Sequence, residues 1–138
     1  MDPTTNRISL CSGGGSEQFI LELDTNTSVN PTGDIYFSGV DFNSSGDAIV
    51  VGQTYTEDAG GDTAALICKI NKTGTSVDWS KHFQRSGHPD NLMAVRVNRN
   101  ESGEPIYASG DSGTYVTHLT GSHTDATLKK FAQDGTTT

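Results

Sequence analysis

The residues whose types most clearly suggest catalytic chemistry are those of the segment Gly-Asp-Ser-Gly at 110–113. A serine hydroxyl becomes a nucleophile when a histidine, itself oriented by a carboxylate, takes its proton, and when backbone donors stabilise the oxyanion. Ser112 lies in this segment, and two histidines, His82 and His88, precede it in the chain. These residue types make a serine hydrolase one hypothesis for the protein.

The same four residues match the short motif around the nucleophile of trypsin-like proteases, in which the histidine also comes first. The surroundings of His82 and His88 do not resemble that family's histidine segment, and the chain is short for two barrels. Glycine, aspartate and serine are also common turn residues. We therefore interpret 110–113 as part of a loop and expect that the protein is not an enzyme.

Acidic residues suggest a second chemistry, because calcium prefers several convergent carboxylate and carbonyl oxygens. Glu57, Asp58 and Asp62 stand among glycines in one segment, so they are calcium candidates, but the spacing is not that of an EF-hand. His118 and His123 lack cysteine or carboxylate partners at zinc-like spacing. The acids are read as solvated loop residues, and no cofactor or metal is expected.

Aromatic residues suggest a third chemistry, the stacking of sugar rings. Trp79 and Phe83 share one face of an alternating strand, as a lectin surface would require, although packing between neighbouring sheets is the favoured interpretation. Tyr55, Asp111 and Tyr115 are further binding candidates.

The elements that position these residues are indicated by a repeated pattern, Asn-x-Ser/Thr-Gly. It occurs at residues 43–46, 71–74 and 100–103, and a related Gln-Asp-Gly follows at 133–135. Asn and Gly tolerate positive φ, so each site predicts a hairpin turn. Turns at nearly even spacing predict a repeated all-β architecture.

Between the turns lie short apolar runs that predict antiparallel strands. The first four-stranded unit spans about 35–90 and the second, partial unit about 91–138, with variable loops at 54–63 and 111–125. Residues 1–16 are interpreted as an N-terminal arm and linker, and 17–138 as the domain. The fold class is therefore all-β, with four-stranded blade-like units of a partial propeller or, alternatively, a small β-sandwich.

The segment GVDFNSSGDAIVVG at 39–52 resembles the first half of the bacterial and phage β-propeller repeat called SBBP. Residues 62–83 are similar to its second half, and 85–90 to its link into the next unit, so the likeness covers about 35–136. The second unit departs from it by an extra residue before Gly110 and by Pro105, and the fourth strand is missing. The resemblance implies a blade-like repeat and no particular activity.

The composition of the chain limits the kinds of molecule that the protein is expected to bind. The net charge is −8 and the pI about 4.7, which disfavours nucleic-acid and anionic-membrane partners. The start of the chain lacks the apolar stretch of a signal peptide. Without a secretory signal we expect Cys11 and Cys68 to be free thiols.

These observations predict a non-catalytic structural or adhesive β module that displays loops. We expect other protein subunits as partners, in a homo-oligomer or a larger assembly such as a virion or a cell-surface structure. A carbohydrate-binding, lectin-like module is the alternative, and a hydrolase using Ser112 the second alternative.

Overall fold

A computed structural model describes residues 5–11, 17–24, 35–55, 63–83, 90–114 and 123–138 of the chain. The described residues form nine strands and no helix, so the predicted all-β class is confirmed, and with no helix there is none to cross a membrane in this part of the chain. The strands are β1 (Thr5–Cys11), β2 (Glu17–Asp24), β3 (Ile35–Phe42), β4 (Ala48–Tyr55), β5 (Thr63–Ile70), β6 (Val77–Phe83), β7 (Asp90–Val97), β8 (Ile106–Thr114) and β9 (His123–Phe131).

All strand pairs are antiparallel and consecutive in the chain. β1 and β2 form a hairpin, β3–β6 form a four-stranded sheet that we call sheet 1, and β7–β9 form a three-stranded sheet that we call sheet 2. After Phe131 the chain turns back, and Thr137 makes a single antiparallel bridge to Phe131. Sheet 2 therefore has the strand order of sheet 1 with only the start of a fourth strand.

The structure differs from the sequence-based expectation in two segments, residues 5–11 and 110–113. Residues 5–11 form a strand inside the segment interpreted as an arm, a strand that the sequence pattern did not reveal. The segment 110–113, interpreted as a loop, lies within β8, so the variable loop expected at 111–125 was too long. The reason is that β8 stays paired with β9 from Ile106 to Thr114, and a ladder does not need apolar side chains at its solvent end.

The two sheets share a backbone irregularity at equivalent positions. β3 shifts register between Phe37 and Gly39, and β7 does so between Leu92 and Ala94. At each bulge a carbonyl of the bulged strand lies over a glycine of the next strand, Gly52 or Gly110, where a Cβ would collide with it. A bulge and a glycine recurring together indicate one design used twice.

The predicted turns are hairpins closed by glycines with positive φ, including Gly46 (φ 89°) and Gly74 (φ 69°). In the first turn Asn43 Oδ1 accepts the amide of Asp47 at 2.8 Å, so the side chain closes its own turn. The third turn was predicted at residues 100–103, but it begins earlier, at Asn98. The amide N of Asn98 donates to the carbonyl O of Pro105 at 2.9 Å. This turn is longer than the first turn, so its sequence tetrad is not the structural equivalent.

The main core lies between sheets 1 and 2, an interface that we call the junction. Apolar side chains of β4 and β5 pack there against those of β7 and β8, with Phe131 of β9 fully buried among them. The junction core consists of Ile49, Val51, Ala65, Ile67, Leu92, Val95, Val97, Ile106, Ala108 and Phe131.

The opposite face of sheet 1 is buried as well. Alternation along β5 sends Leu66, Cys68 and Ile70 to this far face, and all three are almost fully buried. Coverage of β5 on both faces, expected from its continuous apolar run, is therefore confirmed. Cys68 is a free thiol, as expected, and burial raises its pKa to about 12.

The duplicated bulges predict the response to an added methyl group. We expect Gly52→Ala and Gly110→Ala each to lower the free energy of unfolding by about 3 kcal/mol, because backbone atoms cannot move aside as side chains do. Urea denaturation followed by circular dichroism measures the change.

Gly103→Asn is the matched control. Nothing lies within 4 Å of a Cβ at Gly103, and asparagine tolerates the positive φ of 80°. We expect a change within about 0.5 kcal/mol. Wild-type stability in both alanine variants would contradict the close approach.

Candidate functional site

The aromatic candidates Trp79 and Phe83 lie at the edge of the junction, partly buried against its core. The rings of Phe83 and Phe131 are 5.6 Å apart and tilted by 42°, a favourable aromatic contact. The indole Nε1 of Trp79 donates to the carbonyl O of Gln133 at 2.9 Å. Gly135 lies so close to the indole that a Cβ there would come within 2.9 Å of Trp79. Both rings thus contact the second unit, as the favoured interpretation expected.

Gln133 connects three turns at one end of the molecule, a set of contacts that we call the turn-end network. Its Nε2 donates to the carbonyl O of Glu104 at 2.6 Å, and its Oε1 accepts from Asn43 Nδ2 at 3.1 Å. The amide of Ser44 donates to Glu104 Oε2 at 3.0 Å, and hydrogen bonds from Ser44 lower the pKa of Glu104. The turns of both sheets are therefore joined by hydrogen bonds, in addition to the apolar core.

Asp41 of β3 joins the sheets through a buried carboxylate. Its Oδ2 accepts the amide of Val97 at 2.8 Å, and its Oδ1 accepts the amide of Phe42 at 2.9 Å. The Arg99 guanidinium forms an ion pair with the same carboxylate and donates from Nε to the carbonyl O of Phe42 at 2.7 Å. Burial alone raises the pKa of Asp41, but the amide hydrogen bonds and Arg99 outweigh burial, and the pKa lies below its ordinary value.

Lys69 and Lys130 occupy equivalent positions in β5 and β9, and both bind acids locally. Lys69 Nζ lies 3.0 Å from a carboxylate oxygen of Asp47, whereas Lys130 Nζ lies 3.5 Å from Glu101. Lys130 also lies over the ring of Tyr107, 5.5 Å from its centroid. These contacts fit the architectural role that their repeat positions suggest.

The face of sheet 2 that points away from the junction is exposed, and we call it the outer face. Leu128, on the edge strand β9, is 72% exposed, and Met93, at the bulge of the other edge strand β7, is 49% exposed. The repeat register makes Leu128 the equivalent of Ile67, and Tyr107 the equivalent of Ile49, both buried in the junction. The outer face of sheet 2 therefore occupies positions that in sheet 1 are covered by a second sheet.

The candidate catalytic segment lies in a strand paired on both sides. Asp111 is a partly buried residue of β8, and the register places the backbone of Ser112 between those of Asp90 and Asp125. His82 is exposed on β6, and His88 lies outside the described residues. His123 lies in β9 with its backbone paired to that of Thr114, two residues from Ser112, and the side chains of Ser112 and His123 lie outside the described part of the chain.

The remaining candidates are not brought together in the described ranges. Tyr55 ends β4, with its side chain outside the description, and Tyr115 and the calcium candidates Glu57, Asp58 and Asp62 lie outside it entirely. Within the described residues, no group of three or more His, Cys, Asp or Glu side chains could hold a metal ion.

Comparison of the chain with models of known protein families and with curated proteins found no match. The resemblance to the SBBP repeat therefore stays a prediction.

Sequence reasoning missed the residues that join the units, above all Asp41, Arg99, Glu104 and Gln133. A signal existed for Asp41, because a carboxylate flanked by apolar residues in a strand requires a partner when it is buried. Its partners in sheet 2 are Val97 at the end of β7 and Arg99 in the turn that follows, both more than fifty residues later, so the sequence could not identify them.

The low pKa of Asp41 predicts acid sensitivity. Its ionised form stabilises the fold at pH values above 3.8, the ordinary pKa of an aspartate side chain, and this contribution is lost as the pH falls through the lower pKa of the folded state. We expect Asp41→Asn to cost about 2 kcal/mol at pH 7 and to flatten the dependence of stability on pH below about 4.

Urea denaturation between pH 2.5 and 7 measures both effects. Asp78→Asn is the control, because the Asp78 carboxylate is exposed and lies 3.7 Å from Lys69 on the same sheet. Equal pH profiles for wild type and Asp41→Asn would contradict the assignment.

Proposed function

We propose that this protein is a non-catalytic structural module that works within a larger protein assembly. The observation that carries the proposal is sheet 2, whose two outer strands carry the exposed apolar side chains of Met93 (β7) and Leu128 (β9). Exposed apolar groups on a flat sheet face mark surfaces for association.

The arrangement of polar groups supports a structural role over a catalytic one. The buried carboxylate of Asp41 and the indole N–H of Trp79 are both occupied by contacts between the two units. A lectin role has less support for the same reason, because the indole of Trp79 contacts Gly135. Asp41 and Trp79 thus hold the two sheets together.

In this proposal the stacked sheets form a rigid body that holds the loops following β4 and β8, where partner contacts are favoured. Other protein subunits are the proposed partners, and the net charge of −8 favours basic surfaces among them. A virion or a cell surface is the proposed location, suggested by the resemblance to a repeat found in phage and bacterial proteins.

The mass of the native particle tests the assembly. We expect the chain, in material from its natural source, to elute in a complex several times its own 14.6 kDa when size-exclusion chromatography is coupled to light scattering. Mixing with 1 M salt controls for loose electrostatic adhesion. A sharp native species of 14.6 kDa would overturn the proposal.

Labelling of serine tests the absence of catalysis. We expect a fluorophosphonate probe to label neither the wild type nor Ser112→Ala, because an unactivated serine is a weak nucleophile. Intact-mass spectrometry reads the adduct, and a trypsin sample confirms that the probe is active. Labelling of the wild type that disappears in Ser112→Ala would establish a hydrolase-like site.

A further inference from the structure

The outer face of sheet 2 carries charge in an ordered pattern. The strand register arranges its residues in three rows, each crossing β7, β8 and β9. The row nearest the turns holds Arg96, Tyr107 and Lys130; the middle row holds Ala94, Ser109 and Leu128; the far row holds Asn91, Asp111 and Ala126. The row nearest the turns is cationic through Arg96 and through Lys130, which is paired with Glu101. In the middle row the polar Ser109 lies between the apolar Ala94 and Leu128, and the far row is anionic through Asp111.

A third unit built like sheet 2 does not fit this face. In the junction, Asp41 of the covered sheet meets Arg99 of the covering sheet. The repeat register places Arg96 where sheet 1 has Asp41, since the two residues follow the equivalent bulges at the same distance. A covering unit of the same design would thus bring a second guanidinium against Arg96, and like charges repel.

A second copy of the chain fits it when the two faces meet head to tail. A two-fold axis running across the strands places the cationic row of one copy opposite the anionic row of the other. The outer rows are about 13 Å apart along β8, so Asp111 of one copy lies between Arg96 and Lys130 of the other. An axis along the strands would instead superpose the two cationic rows.

We propose that two copies of this chain pair through the outer faces of sheet 2 about an axis across the strands. Leu128 of β9 packs against Leu128 of the second copy, and Arg96 and Lys130 flank the opposing Asp111. This inference rests on the proposed assembly function and names one contact within it.

The area of the outer face determines how tightly the two copies are expected to bind. Three strands about 4.8 Å apart and about 20 Å long give a face of about 300 Å² per copy. A standard protein interface covers roughly 800 Å² per partner. We therefore expect a reversible dimer with a dissociation constant on the order of 100 µM.

Sedimentation velocity of the full chain between about 10 and 500 µM tests the pairing at low salt, where charge contacts are strongest. We expect Leu128→Asp to raise the dissociation constant at least tenfold, because it places two carboxylates opposite each other in the contact. Since Leu128 is 72% exposed, its replacement leaves the fold intact, and an unchanged urea midpoint verifies this. Val40→Asp is the matched control on sheet 1, at a residue that is 53% exposed, and it leaves the constant unchanged.

Charge reversal tests the direction of the axis. Arg96→Asp and Asp111→Lys each weaken the dimer about tenfold, and the double variant returns the constant to within about fivefold of wild type. Failure of the double variant to recover overturns the proposed pairing, as do growth beyond a dimer and a monomer throughout the concentration range. None of these results bears on the native mass, so the assembly function is judged separately.

Discussion

The structure depends on burying β5 on both of its faces. Its residues from Ala64 to Cys68 are all apolar, and a strand of this kind is stable only when each face of its sheet is covered. Sheet 2 covers one face through the junction, where Ile67 meets the core around Phe131. The position of the second unit, and the side chains that fasten it, follow from this requirement.

The two sheets pack front to back. The buried face of sheet 2 presents Ile106, Ala108 and Phe131, which the repeat register equates with residues on the far face of sheet 1, such as Ala48 and Ile70. Units that stack in the same orientation make a heterologous contact, and such a contact leaves one unmatched face at each end of the stack unless the rotation closes it into a ring. The exposed outer face of sheet 2 is the consequence at one end.

Much of this arrangement could be predicted from the sequence because it is local. Glycines at turns are predictable because they tolerate positive φ, and the apolar run of β5 predicts burial on both faces. The equivalence of Gly52 and Gly110 could be recognised from their spacing in the sequence. The ends of strands were not predictable, since the pairing of Asp111 and Ser112 with β9 depends on the ladder and not on side-chain type. The hydrogen bond from Trp79 to Gln133 joins residues 54 apart, and only the packing of sheets brings them together.

The differences between the two units are as informative as their likeness. Where sheet 1 buries Ile49, Val51 and Asp41 in the junction, sheet 2 has at the equivalent positions a half-buried Tyr107 and the exposed Ser109 and Arg96. Each change makes the face more polar or reverses its charge, so another unit of the same kind gains less apolar burial and meets a repelling cation. A duplicated unit that kept the original residues would offer the same contact again to a further unit, in an open stack or a closed ring. The sequence divergence of sheet 2 therefore disfavours a further unit of the same design on its outer face.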